Sequence, residues 1–139
     1  MSSYSQPLAH QVAIPSNLHA ARCIEEQLLG ITEGFGYSEE SAFAIRLALE
    51  EAIVNAHKHG NGGDPSKTIT ISYDINEHRA IIRVRDEGKG FEPATIPDPT
   101  APDRISLPTG RGIMLMHAYL DDVLYNEQGN EVQLVKEKC

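Results

Sequence analysis

Cationic residues are scarce in this chain: 12 Lys and Arg stand against 20 Asp and Glu, a formal net charge of -8. Phosphate-backbone binding draws on clustered positive charge, so this balance argues against nucleic acid as the main ligand and suits a basic protein partner better. Cysteine is equally sparse. Cys23 falls within an expected helix and Cys139 is the last residue, which leaves two free thiols and no basis for a disulfide framework or a metal centre. No apolar run approaches the roughly 18 residues that span a bilayer, and residues 1–10 lack a basic segment followed by an apolar stretch. The expectation is a cytoplasmic chain without membrane association. A Walker-type Gly-x-x-x-x-Gly-Lys-Ser/Thr loop is also missing, so any nucleotide must be held by another device.

What is there reads as one domain, residues 1–139 with 1–10 flexible, since 40% hydrophobic and 23% charged residues are ordinary for one globular core. A strand is expected over 11–14, followed by capping chemistry at Pro15, Ser16 and Asn17 and a helix from Leu18. Ser38 with Glu39 and Glu40 opens a second helix. Its Ala42, Ile45, Leu49, Ala52 and Ala56 recur three and four apart as a buried stripe, to about His59. Apolar residues alternate with polar ones over 68–75 and 79–85, a hairpin with one face on the core. Residues 91–109 carry five prolines and read as a long mobile loop; 110–120 read as a helix, and 122–125 and 131–135 as a closing hairpin. That order predicts an α+β two-layer sandwich, a mainly antiparallel sheet with helices on one face.

Three constellations carry chemistry. Glu51 and Asn55 lie four apart, on one face of the second helix, where a carboxylate can accept a proton while a neutral amide oxygen ligates Mg²⁺. The spacing alone describes a solvated helix face more often than a site. Asp86, Gly88 and Gly90 stand where a strand ends, so that Asp86 can accept a hydrogen bond from an amino group such as that of adenine while the glycines let backbone approach a flat ring. A plain glycine-rich turn is the alternative. Gly110, Arg111 and Gly112 open a helix, offering backbone N–H groups and a cation to phosphate, or simply capping that helix. His57 and His59 lie two apart, about 200° around a helix, which rules out joint ligation of one metal from a regular turn and leaves a solvated or capping role.

Taken in order, the three motifs resemble the ATPase superfamily of gyrase, heat-shock chaperones and histidine kinases. The Glu-Ala-Ile-Val-Asn-Ala-His-Lys-His-Gly, Arg-Asp-Glu-Gly-Lys-Gly and Thr-Gly-Arg-Gly-Ile runs look most like the RsbW-type anti-sigma-factor serine-protein kinases. The resemblance implies Glu51 as catalytic base, Asn55 as Mg²⁺ ligand, Lys58 as a basic phosphate neighbour and Asp86 as the adenine-reading carboxylate. It sets Gly88 and Gly90 around the base, Thr109, Gly110, Arg111 and Gly112 at the phosphates, and 91–109 as the ATP lid. Asn130 stands where the superfamily usually has a Thr near adenine, and Arg22 aligns with a partner-facing Arg. The implied activity is Mg-ATP-dependent phosphorylation of a Ser or Thr on an anti-sigma-factor antagonist, by a kinase that otherwise holds a sigma factor or similar regulator; a homodimer is compatible with it. A non-catalytic ATP-binding module and a stand-alone histidine-kinase catalytic domain are the alternatives.

Overall fold

In the computed structural model, residues 8–88, 120–126 and 130–138 are described. The expected lid at 91–109, the expected helix start at 110–112 and Gly90 lie outside them.

Strand β1 (His10–Pro15) leads into helix α1 (Leu18–Gly34). The cap is Asn17 alone: its backbone is extended and its side chain accepts from the Ala20 N–H at 2.8 Å. Ser16, expected to share the capping, is fully buried and used elsewhere. Gly36 ends α1 at φ +79°, letting the Tyr37 N–H reach the Thr32 carbonyl and the Gly36 N–H reach that of Glu33, which satisfies two terminal carbonyls. Helix α2 (Glu39–Asn55) starts as expected, with the Ser38 hydroxyl accepting from the Ser41 N–H and two glutamates in the first turn. Its buried face is wider than the expected stripe: Ser41, Ala44, Ala48 and Ile53 join Ile45, Leu49 and Ala52, while Ala42 is only half-buried. Mostly small residues there let α2 sit close to its neighbours.

Strands β2 (Thr68–Ile75) and β3 (Arg79–Arg85) have the expected bounds, and β4 (Asp122–Tyr125) and β5 (Glu131–Glu137) complete an antiparallel sheet in the order β1-β2-β3-β5-β4. Asn76 shapes the β2–β3 turn by accepting from the His78 and Arg79 N–H groups. The register sets Val12, Ile71, Val84, Val132 and Tyr125 in one row, with Tyr73, Ile82, Leu134 and Val123 in the next. Such a row is one face of the sheet, because side chains alternate. α2 packs on β3 and β5, α1 on β1, and the two helices on each other. The α+β sandwich is therefore observed.

One polar group lies between the helices at a cost. Glu25 on α1 is 5% exposed, and its Oε1 has no hydrogen-bond partner among the described residues. Burial, then the Glu50 carboxylate, raise its pKa above the usual range; Arg46 and Arg22 only partly offset them. A carboxyl whose pKa is higher folded than unfolded favours the native state below its unfolded pKa, and that advantage is lost as pH rises through the folded one. Glu25→Met is therefore expected to stabilise by about 1–2 kcal/mol near neutral pH, the scale of one buried unpartnered group. Melting curves should show this gain shrinking as acid neutralises the parent's Glu25; a gain that grew on acidification would refute the assignment.

Candidate functional site

The end of α2 departs from a regular helix. Residues Ala56–Gly60 form a π turn, closed by the Asn61 N–H on the Ala56 carbonyl at 2.8 Å. Such turns insert a residue into helical winding and recur at functional sites. Upstream of it Glu51 and Asn55, one turn apart on α2, are both half-buried. Lys58, on the π turn, is exposed. The Glu51 carboxyl has a raised pKa, mainly through burial and then through Glu50, while the charge of Lys58 works against that rise. Glu51 and Lys58 thus belong to one electrostatic environment.

Gly60 meets the second constellation. A Cβ on Gly60 would lie 2.1 Å from Asp86 Cγ, and one on Gly88 would lie 2.2 Å from the Gly60 carbonyl oxygen. Both distances are far inside van der Waals contact, so the two glycines let the helix end and the Asp86 turn interpenetrate. Asp86 is half-buried at the end of β3. Its Oδ1 accepts from the Gly88 N–H at 2.7 Å, and its own N–H donates to the Asn130 carbonyl at 2.9 Å. Burial raises the Asp86 pKa, opposed by the Gly88 hydrogen bond and the charge of Lys67. The result is a carboxylate partly withdrawn from water, with acceptor capacity beyond its one internal bond.

Asn130 thus meets the Asp86 turn through its backbone. Its side-chain oxygen accepts from Asn126 Nδ2 at 2.7 Å, and its N–H donates to Asn126 Oδ1 at 3.1 Å. Arg22 is exposed on α1, where its charge acts on Glu25. Thr109, Gly110, Arg111 and Gly112, like Gly90, fall outside the described residues.

A polar chain that no motif in the sequence announces joins the helix end to the Asp86 turn. Asn61, 1% exposed, accepts from the Glu87 N–H at 2.8 Å through Oδ1 and donates through Nδ2 to Ser16 Oγ at 3.1 Å and the Thr68 carbonyl at 3.2 Å. Ser16 Oγ lies 2.8 Å from His57 Nδ1, and Glu87 accepts from the Thr68 N–H. His57 is therefore half-buried and partnered, where a solvated or capping role was expected. The missed signal was a Ser beyond what one N-cap requires and an Asn directly after the helix-ending Gly60. Among the described residues no group of three or more His, Cys, Asp or Glu could hold a metal ion. Nor is any described helix long and apolar enough to cross a membrane.

A five-stranded antiparallel sheet with helices packed on it is the fold of the histidine-kinase-like ATPase class. Residues 13–136 match the family model "Histidine kinase-like ATPase domain", and the chain belongs to that family. Within it the chain groups with the RsbW serine-protein kinases, ATP-dependent enzymes, as the motifs implied. It is 32% identical over 116 residues to "Serine-protein kinase RsbW" of Listeria innocua, covering 78% of this chain and 74% of that one. Against the RsbW of Oceanobacillus iheyensis the identity is 31% over 134 residues, 92% and 83% of the two chains. An "Anti-sigma F factor" of Anoxybacillus flavithermus is 32% identical over 99 residues, 66% of each. The fold matches a crystal structure of the RsbU and RsbW domains of a Mycobacterium tuberculosis protein at a TM-score of 0.61 and 17% identity. That match covers 93% of this chain and 32% of the longer one.

Proposed function

We propose that residues 1–139 act as one kinase domain that uses Mg-ATP to phosphorylate a Ser or Thr of an anti-sigma-factor antagonist, and that alternatively holds a sigma factor or similar regulator. The observation that carries this reading is the interlock of the Glu51–Asn55 helix end with the Asp86 turn at Gly60. It supports a division of labour in which Asp86 accepts from the adenine amino group and Glu51 and Asn55 serve the phosphate end. Glu51 takes the proton of the incoming hydroxyl as its oxygen bonds to the γ-phosphorus; the bond to the β-phosphate oxygen breaks and ADP leaves. The donor set fits Mg²⁺, which binds through one or two protein oxygens with phosphates and water; Asn55 would supply that oxygen. Bound there, the ion would neutralise phosphate charge, and Lys58 would add to that field.

Labelled ATP, the chain and candidate antagonists encoded beside it make the test. Transfer to a Ser or Thr is expected. Nucleotide binding without transfer would identify an ATP-dependent binding module, and transfer to a histidine would identify a histidine-kinase catalytic domain.

Arg22 is proposed as a partner contact, being exposed on α1 and carrying an always-charged fork suited to an acidic surface. Arg22→Glu is expected to bind ATP like the parent but to lose partner capture by about tenfold or more, as like charges meet across the interface. Unchanged capture in a pull-down at low salt would remove Arg22 from that surface.

A further inference from the structure

We infer that Asn61 is a positioning residue of the nucleotide site: one buried carboxamide fastens the Asp86 turn to the end of the helix that carries Glu51 and Asn55. The inference rests on the reading of Asp86 as the adenine acceptor.

Two backbone groups of opposite polarity set the orientation of the Asn61 amide. The Glu87 N–H points at Oδ1 and the Thr68 carbonyl receives from Nδ2, so turning the amide over would place donor against donor and acceptor against acceptor. The second hydrogen on Nδ2 is therefore directed to Ser16 Oγ. Ser16 is fully buried, and its other neighbour is His57 Nδ1 at 2.8 Å. The links that Asn61 makes to Ser16, Thr68 and Glu87 are satisfied in one direction only, and His57 completes the chain at Ser16. Such a network holds its members in place because leaving any buried member unpaired is costly.

What it holds is the peptide on the C-terminal side of Asp86. The Glu87 N–H is bonded to Asn61, while the Asp86 N–H is bonded to the Asn130 carbonyl. Both amides flanking the Asp86 Cα are thereby tied, and the Gly88 N–H restrains its Oδ1. Asn61 itself is anchored to α2, since its N–H closes the π turn on Ala56. Without the Asn61 carboxamide, the turn keeps its hydrogen bond to Asn130 and its packing at Gly60 but loses its hydrogen bond to the helix end. The aim of the Asp86 carboxylate then drifts relative to a bound purine.

Discrimination between ATP and inosine triphosphate reads this directly, because the latter replaces the exocyclic amino donor by a carbonyl oxygen. Partial unfolding weakens both nucleotides alike and leaves their affinity ratio unchanged; a misplaced acceptor lowers the ratio. Asn61→Ala is expected to reduce the ATP-to-inosine preference about tenfold, the equivalent of one hydrogen bond to a charged group. If that variant lacks a cooperative melt, Ser16→Ala carries the test. It removes one contact of the amide while leaving those to Glu87 and Thr68, and is expected to lower the ratio about threefold, corresponding to a weaker hydrogen bond. An unchanged ratio in folded Asn61→Ala, or in Ser16→Ala where that variant is used, overturns the inference. Asp86→Asn in the otherwise unaltered chain separates this failure from that of the underlying reading. It should erase the preference by itself; if it does not, Asp86 is not the purine acceptor and the role of Asn61 falls with it.

Discussion

Glu51→Ala is expected to lower phosphoryl transfer by about 10²- to 10⁴-fold while ATP binding changes little, the range typical for loss of a general base. The separation of the two effects follows from what Glu51 would touch. A base acts on the hydroxyl of the incoming protein substrate, whereas nucleotide affinity would draw on Asp86 and on Asn55, the proposed metal ligand. The pH dependence sharpens the test. Burial and Glu50 raise the Glu51 pKa, and a base works only when deprotonated, so the acid limb of the rate profile should lie above the usual carboxylate range. Lys58 opposes that rise, so Lys58→Ala should move the limb to still higher pH. Single-turnover transfer to the antagonist, measured across pH beside nucleotide calorimetry, decides the matter. Full turnover in Glu51→Ala would remove it from the role, and a limb unmoved in Lys58→Ala would assign the ionisation to another group.

The elements were legible in the sequence wherever one physical signal dominated. Alternation over 68–75 and 79–85 set both strands to the residue, because a one-residue slip would turn Ile69, Ile71, Ile82 and Val84 out of the core. Asn17 and Ser38 announced their helices because an N-cap needs a short side-chain oxygen at one position. The end of α2 was less legible. Periodicity carried the helix toward His59, but the π turn ends at Gly60, packed against Asp86, a contact 26 residues away in the chain that periodicity does not show. The polar chain through Ser16, His57, Asn61 and Glu87 was illegible for the same reason, since its links span up to 45 residues. Arg83 and Gln133 paired at 2.8 Å across β3 and β5, both buried on the face opposite the helices, likewise defy the alternation that made the other face readable.

Asp86→Asn is expected to weaken ATP binding about 10- to 150-fold, the equivalent of losing a hydrogen bond to a charged acceptor. The substitution keeps size and shape, so it spares the packing against Gly60, where a larger side chain would not fit. It changes only which atoms accept. One amide oxygen can still take the Gly88 N–H, as Oδ1 does now. The remaining position then presents NH₂ to the adenine amino group, donor against donor. The carboxylate itself should show a matching pH effect. Burial raises its pKa, so ATP affinity in the parent should fall on acidification at a pH above the ordinary aspartate range, as the acceptor is protonated, whereas Asp86→Asn should lack that component. Gly60→Ala is the steric counterpart. Its Cβ would come within 2.1 Å of the Asp86 carboxyl carbon, which must swing away and lose its aim although its charge remains. Calorimetry of ATP with both variants checks the pair: parent-like affinity in Asp86→Asn would refute the adenine contact, and parent-like affinity in Gly60→Ala would show that binding does not depend on how the helix end packs against the turn.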